Sequence, residues 1–316
     1  MKTVFRHAIL LVCIAGFAAA AGHARAGEFA NPLMRGADPH AVVAGKTVWL
    51  YPTISRDRFY AFSSDDLKTW KRHGPVLDFK NVPWVGEDGR EHHGAWAPGV
   101  IERDGTWYFY YSVGPKRSRI GVATAASPAG PFVDSGRPLL DDEGKRGFEA
   151  IDPMVFADPK SGKYYFYAGG SAGSKLRVFE LNKDMVSFAA EVPVETPAHF
   201  TEGAFMHFRD GVYYLSYSHG SYKRASYSVH YATSKSPVGP WKYRGAILKS
   251  DASHKGPGHH SFFKNPADGS DLIVYHRYDG QTGDGPYSTR RQIAIERVRY
   301  DKKGLILPII MTDGRD

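Results

Sequence analysis

Three carboxylates of this chain stand in one recurring setting. Asp38 in "GADPH", Asp152 in "AIDPM" and Glu202 in "TEGAF" precede the turn glycines Gly45, Gly162 and Gly211 by 7, 10 and 9 residues. Trp96 and His259 occupy the same place in two further runs, 9 residues before Gly105 and 10 before Gly269. Each is ordinary alone: an Asp-Pro pair makes a turn, a Glu at a strand start is a solvated charge, a Trp or His fills a core. All five at one repeat position are not explained by packing. Two carboxyl groups flanking a bond can hydrolyse an acetal, one protonating the leaving oxygen while the other activates water or attacks. A third carboxylate nearby would keep the acid protonated near neutral pH, because like charges disfavour ionisation. Metal-assisted hydrolysis is the competing use of Asp, Glu and His. The cluster has only one or two histidines and no HExxH spacing, so that use ranks below the first.

The elements that must position these residues repeat five times. Aromatic, β-prone runs follow a tight turn in "AGKTVWLYPT", "DGTWYFYYSV", "SGKYYFYAGG", "DGVYYLSYSH" and "DGSDLIVYHRYDG". Their turn glycines, Gly45, Gly105, Gly162, Gly211 and Gly269, fall 60, 57, 49 and 58 residues apart. Each suits a two-residue hairpin needing positive φ. A second strand follows each hairpin, and four of the five end in an aromatic: Trp70, Phe132, Phe188 and Trp241. The spacing predicts five small antiparallel sheets and no long amphipathic helix. Radial repetition of such sheets is a five-bladed β-propeller, all-β and a single domain; a β-sandwich would not repeat the second strand. The innermost strand of each blade lines the central channel, so the five positions converge at one mouth. Pro39 and Pro153 push Asp38 and Asp152 towards extended backbone.

Residues 1–26 read as a secretory signal peptide, with Lys2 and Arg6 ahead of an apolar run and an Ala24-Arg25-Ala26 cleavage site. That run is short for a membrane span and nothing later resembles one. The reading predicts an exported protein, periplasmic or secreted, with a propeller over 27–316 and no membrane attachment after cleavage. The only cysteine, Cys13, leaves with the leader. The formal charge of +8 falls to +5 without Lys2, Arg6 and Arg25. The basic residues are scattered, which argues against nucleic acid and leaves weak attraction to acidic polysaccharide.

The ordered set "ADPH", "AWAPGV", "AIDPMVF", "TEGAFMHFRDGVYYLSYS" and "GPGHHSFF" resembles glycoside hydrolase family 43 over about 30 to 310. The resemblance implies a five-bladed propeller that hydrolyses arabinofuranosyl or xylosyl linkages of plant polysaccharides with inversion. It implies that Asp38 is the general base, Glu202 the general acid and Asp152 the carboxylate that tunes and orients the acid. It implies that Trp96 walls the sugar pocket and that Arg291, with Arg290 as the alternative, contacts substrate. His259 matches the channel histidine where many members hold a calcium or another ion; His260 is its neighbour and a second candidate for substrate binding. No organic cofactor is implied. No appended C-terminal sandwich follows the fifth repeat, which favours α-L-arabinofuranosidase over β-xylosidase or exo-galactanase. A propeller that binds glycans without cleaving them is the alternative from another class, disfavoured by the intact trio of carboxylates.

Overall fold

The computed structural model describes residues 28–141, 147–288 and 290–314; the leader read in residues 1–26 lies outside them. Five antiparallel sheets are arranged as a β-propeller. From the channel outwards, blade 1 runs Ala37–Ala44, Thr47–Thr53, Arg58–Ser64 and Lys71–Asp78. Blade 2 runs Gly94–Arg103, Thr106–Gly114 and Arg119–Ala125, with two short outer segments, Val133–Asp134 and Leu140–Asp141, both on the third strand. Blade 3 uses Met154–Ala157, Tyr164–Ala168, Arg177–Leu181 and Phe188–Val192. Blade 4 uses Glu202–Arg209, Val212–His219, Ser228–Ser234 and Lys242–Leu248.

Blade 5 supplies His254–Lys264, Asp271–Asp279 and Gln292–Arg297, and takes its outermost strand, Met34–Arg35, from the N-terminal end of the described chain. Met34 pairs with Ile293 and Arg35 with Gln292. The Asn31 side chain seals the join, donating to the Ile295 carbonyl at 2.8 Å and accepting from its N–H at 2.9 Å. The ring is thus closed by hydrogen bonds between segments far apart in sequence.

The hairpin glycines behave as expected, all five at φ between 62° and 81°. The aromatic second strands are buried on both faces because each blade is sandwiched between two others. In "DGTWYFYYSV", Trp107, Phe109, Tyr111 and Val113 join Tyr51 and Phe59 of blade 1, while Tyr110 turns the other way to pack with Phe166 of blade 3. A period of two therefore reads as continuous hydrophobicity. Each buried ring contributes about 1.5–3 kcal/mol, and edge contacts such as Phe59 on Phe109, 5.1 Å between centroids, add to it. Tyrosine hydroxyls tie blade to blade: Tyr51 donates to the Pro128 carbonyl, Tyr110 to Met185 and Tyr167 to Pro237, each at 2.7 Å. The turns "SPAGPF" and "SPVGPW" supply two of those acceptors.

Candidate active site

Each inner strand has a positive-φ residue in it or just ahead of it: Asp38 (49°), Ala97 (36°), Asp152 (59°), Gly203 (64°) and His259 (41°), with Gly256 (54°) a second in blade 5. In four blades the pairing register slips there, between Ala37 and His40, Trp96 and Gly99, Glu202 and Phe205, and Gly258 and Ser261. These are β-bulges, which bend a strand and re-aim its side chains. Two sequence expectations are corrected. Asp38 and Asp152 are left-handed rather than extended, which a short polar side chain tolerates better than most. In blades 2 and 4 the equivalent residues are Ala97 and Gly203, so Trp96 and Glu202 sit one position earlier than Asp38, Asp152 and His259.

A bulge frees a backbone N–H that must find an acceptor. Ala97 N–H donates to Thr53 Oγ1 at 2.8 Å, Asp152 to Ser112 Oγ at 2.9 Å, His259 to Ser218 Oγ at 2.8 Å, and Asp38 to His276 Nδ1 at 3.2 Å. Every acceptor comes from the second strand of the preceding blade. Ser112, Ser218 and His276 each lie 7 residues after their hairpin glycine, and Thr53 lies 8 after its own. Blade 3 has Gly169 at this place, where a Cβ would stand 2.0 Å from the Lys175 carbonyl oxygen. No side chain can cap from there. Instead Gly203 N–H donates to Asp152 Oδ2 at 3.0 Å, which ties Asp152 to the backbone beside Glu202.

Asp38, Asp152 and Glu202 are 7%, 6% and 7% exposed and line one cavity of about 280 Å³ with Trp96, His259 and Arg291. That is near the lower end of the ~300–1,000 Å³ of ligand cavities and suits a single sugar ring. Burial pushes the Asp38 carboxyl up. The Arg291 guanidinium, whose Nη1 donates to Oδ1 at 2.8 Å, overcomes this and holds it well below the usual carboxylate range. Burial lowers both imidazoles, His276 to about 3, so at neutral pH Arg291 carries the positive charge. His259 Nδ1 lies 3.6 Å from Asp38 Oδ1 and 3.5 Å from Asp152 Oδ2, a neutral spacer between two acids.

The other two carboxyls are pushed the opposite way. Burial, then the charges of Glu202, Asp38 and Glu149, raises Asp152 well above its ordinary value. Glu202 stands raised to about 7: burial, then the charges of Asp38 and Glu149, push it up, and the Tyr227 hydroxyl, donating to Oε1 at 2.6 Å, and Arg291 oppose them. Asp152 and Glu202 therefore share protons and titrate as a pair.

The Trp96 indole lies in a seat made by two paired glycines. A Cβ on Gly94 would stand 2.3 Å from Trp96 Nε1, and one on Gly114 2.0 Å from Cζ3. Arg291 sits in the cavity with its guanidinium carbon 5.1 Å from the Tyr222 ring centre, whereas Arg290 is exposed and lines a neighbouring cavity. His259 reaches the cavity that holds the three carboxyls. His260 does not line it: the bulge turns it inwards, 3% exposed, with Nε2 2.6 Å from Ser216 Oγ. Tyr227, Tyr222, Glu149 and His276 were not anticipated. The capping position shared by Ser112, Ser218 and His276 is a signal that could have found His276; the other three sit in connections between repeated strands.

The channel histidines do not make a calcium cage. His40 Nε2 lies 3.0 Å from the Val100 carbonyl oxygen, His260 is bonded to Ser216, and burial lowers both. Calcium takes six to eight oxygen ligands, whereas this donor set is imidazole and hydroxyl, and the nearby carboxyls are engaged with Arg291, Tyr227 and the Gly203 N–H. Among the described residues no group of three or more His, Cys, Asp or Glu is placed to hold a metal ion.

The profile of Glycosyl hydrolases family 43 matches residues 29–306. A β-D-galactofuranosidase of Aspergillus niger is 36% identical over 305 residues, covering 89% of this chain and 85% of its own. A xylosidase/arabinosidase of Bacteroides ovatus is 29% identical, covering 67% and 78%. A crystal structure of a thermostable family-43 glycoside hydrolase superposes with a TM-score of 0.75 at 25% identity, over 91% of this chain and 97% of that one. A β-xylosidase/α-arabinofuranosidase from a compost metagenome, in complex with xylotriose and calcium-free, gives 0.71 at 28% identity over 92% and 98%. The chain belongs to glycosyl hydrolase family 43 and is a glycosidase.

Proposed function

We propose that the chain is an exported hydrolase that releases terminal α-L-arabinofuranosyl residues from plant-derived oligosaccharides with inversion. One observation carries the mechanism: a single cavity holds one carboxylate kept ionised, Asp38, and one carboxyl kept protonated near neutrality, Glu202. Environments that push two carboxyls apart assign base and acid. Glu202 passes its proton to the glycosidic oxygen as the bond to the anomeric carbon breaks, and the bonding pair stays on that oxygen. Water attacks from the opposite face while Asp38 takes its proton. Tyr227 occupies Oε1, which leaves Oε2 as the proton-bearing oxygen. Asp152, held by Gly203 N–H beside Glu202, is the carboxyl that tunes and orients the acid.

A furanose glycone is supported by the Aspergillus niger relative, named for a galactofuranoside. α-L-Arabinofuranose and β-D-galactofuranose share their ring stereochemistry and differ by an exocyclic carbon. A β-D-galactofuranosyl glycone is therefore the second reading, and xylose, named in other relatives, the third. Hydrolysis of the para-nitrophenyl α-L-arabinofuranoside, β-D-galactofuranoside and β-D-xyloside decides between them. The reading fails if none is cleaved and no arabinose, galactose or xylose is released from arabinoxylan or arabinan digests. Export rests on residues 1–26; a protein that stays in the cell with those residues uncleaved would sink it.

A further inference from the structure

A second cavity of about 470 Å³ adjoins the catalytic one and shares Tyr222 and Arg291 with it. Its wall is built rather than incidental. The connection after Val212–His219 is hydrogen-bonded to the connection after Asp271–Asp279, with Tyr287 N–H donating to the Lys223 carbonyl at 2.7 Å and Ala225 N–H to Asp284 at 3.3 Å. Tyr278 and Tyr287 pack 5.0 Å apart along one side, and Tyr222, 40% exposed, presents its ring at the boundary. Tyr278 and Tyr287 are themselves buried and back the wall, while the Tyr222 ring, with Lys223 Nζ 5.5 Å from its centre, is open to a sugar.

The charge of this cavity is one-sided. Arg35, Lys223, Arg290 and Arg291 line it, and no lining residue is acidic. Arg291 is committed to Asp38. Arg224, on the same connection as Lys223, has Asp284 3.6 Å away. Arg35, Lys223 and Arg290 are exposed, and none is in an ion pair among the described residues. Three uncompensated cations around a concave aromatic surface raise the local concentration of anions, and guanidinium groups match the geometry of a carboxylate.

We infer that this cavity is an aglycone subsite for a carboxylate-bearing sugar, so that the enzyme prefers to trim glycans whose next residues include a hexuronate. The inference rests on the proposed hydrolase reading of the adjoining site. It supplies what that cavity cannot: a single-ring pocket selects the glycone, and the basic neighbour selects the chain from which the glycone is removed.

The test uses a matched pair of arabinosylated xylo-oligosaccharides, one carrying glucuronic acid near the cleaved branch, the other with that carboxyl reduced to the alcohol. Binding is read by calorimetry and turnover by sugar release, with the full mature protein. The acidic member should bind about three- to tenfold more tightly, as expected for a few partly exposed ion pairs. The advantage should shrink as salt rises. Arg35→Gln combined with Lys223→Gln should bring the acidic-to-neutral ratio close to one, whereas Lys302→Gln with Lys303→Gln, outside the cavity, should leave it standing. Equal binding of the two members, or a preference that survives the first pair of substitutions, overturns the inference. Because binding needs no chemistry, tight capture of the acidic member without hydrolysis would refute the hydrolase reading alone. Hydrolysis without discrimination would refute this inference alone.

Discussion

The hydroxyl of Tyr227 is placed to set the pH at which the enzyme stops working. It donates to Glu202 Oε1 at 2.6 Å from a side chain that is fully buried. The ring is held independently of that bond: it stacks on His276 at 5.6 Å and lies where a Cβ on Gly258 would stand 2.1 Å from it. Tyr227→Phe therefore removes the hydroxyl and keeps the ring. The bond favours the ionised acid and pulls its pKa down. A hydrogen bond to a charged group is worth about 1.5–3 kcal/mol, and one pKa unit is 1.36 kcal/mol. Its loss should raise the acid's pKa by about one to two units. The acid works only while protonated, so the basic limb of kcat/KM should move to higher pH by that amount, and activity near pH 8 should rise relative to pH 6. The assay is a pH profile on a substrate with a poor leaving group, which needs protonation most. A basic limb that stays put or moves down, in a variant whose melting curve shows it folded, would refute the assignment of Glu202.

Other expectations follow from the same geometry. Glu202→Gln should nearly abolish cleavage of natural linkages while sparing activated aryl glycosides, and equal losses on both would argue against an acid. The same variant should be more stable than wild type where wild-type Glu202 must ionise. Its folded pKa is raised from 4.5 to about 7, so stability present below the unfolded pKa is lost as pH rises through the folded one. The variant's stability advantage, read from melting curves, should be absent near pH 4 and plateau above pH 7, on the order of 3 kcal/mol. Arg291→Gln should free Asp38 to climb; because the base must be ionised, the acid limb of kcat/KM should shift upward, and an unmoved limb would separate Asp38 from catalysis. Gly114→Ala should push the Trp96 ring from its seat and raise KM about tenfold or more in a folded protein; an unchanged KM would remove Trp96 from the sugar pocket.

The hairpin glycines and aromatic runs made the five blades legible, because turn chemistry and strand period are local. The three carboxylates were legible because they keep a nearly constant distance from those glycines. The offset of Glu202 and Trp96 was not, since the bulge position itself is occupied in those blades by Gly203 and Ala97, which announce no chemistry. His259 and His260 are adjacent in sequence, and only the bulge decides which one enters the cavity. Met34–Arg35 completes a blade whose other strands begin at His254, a pairing without local signature. Tyr227 meets Glu202 from 25 residues away through a connection whose path depends on the neighbouring blade.

If Asp38 activates water opposite an acid at Glu202, the sugar must leave with its anomeric configuration inverted. Proton NMR of para-nitrophenyl α-L-arabinofuranoside hydrolysis, recorded from the first turnovers for wild type and Asp38→Asn, tests it most directly. β-Arabinofuranose should appear first with wild type, and Asp38→Asn should release no sugar. The α anomer appearing first, or undiminished release by Asp38→Asn, would contradict it.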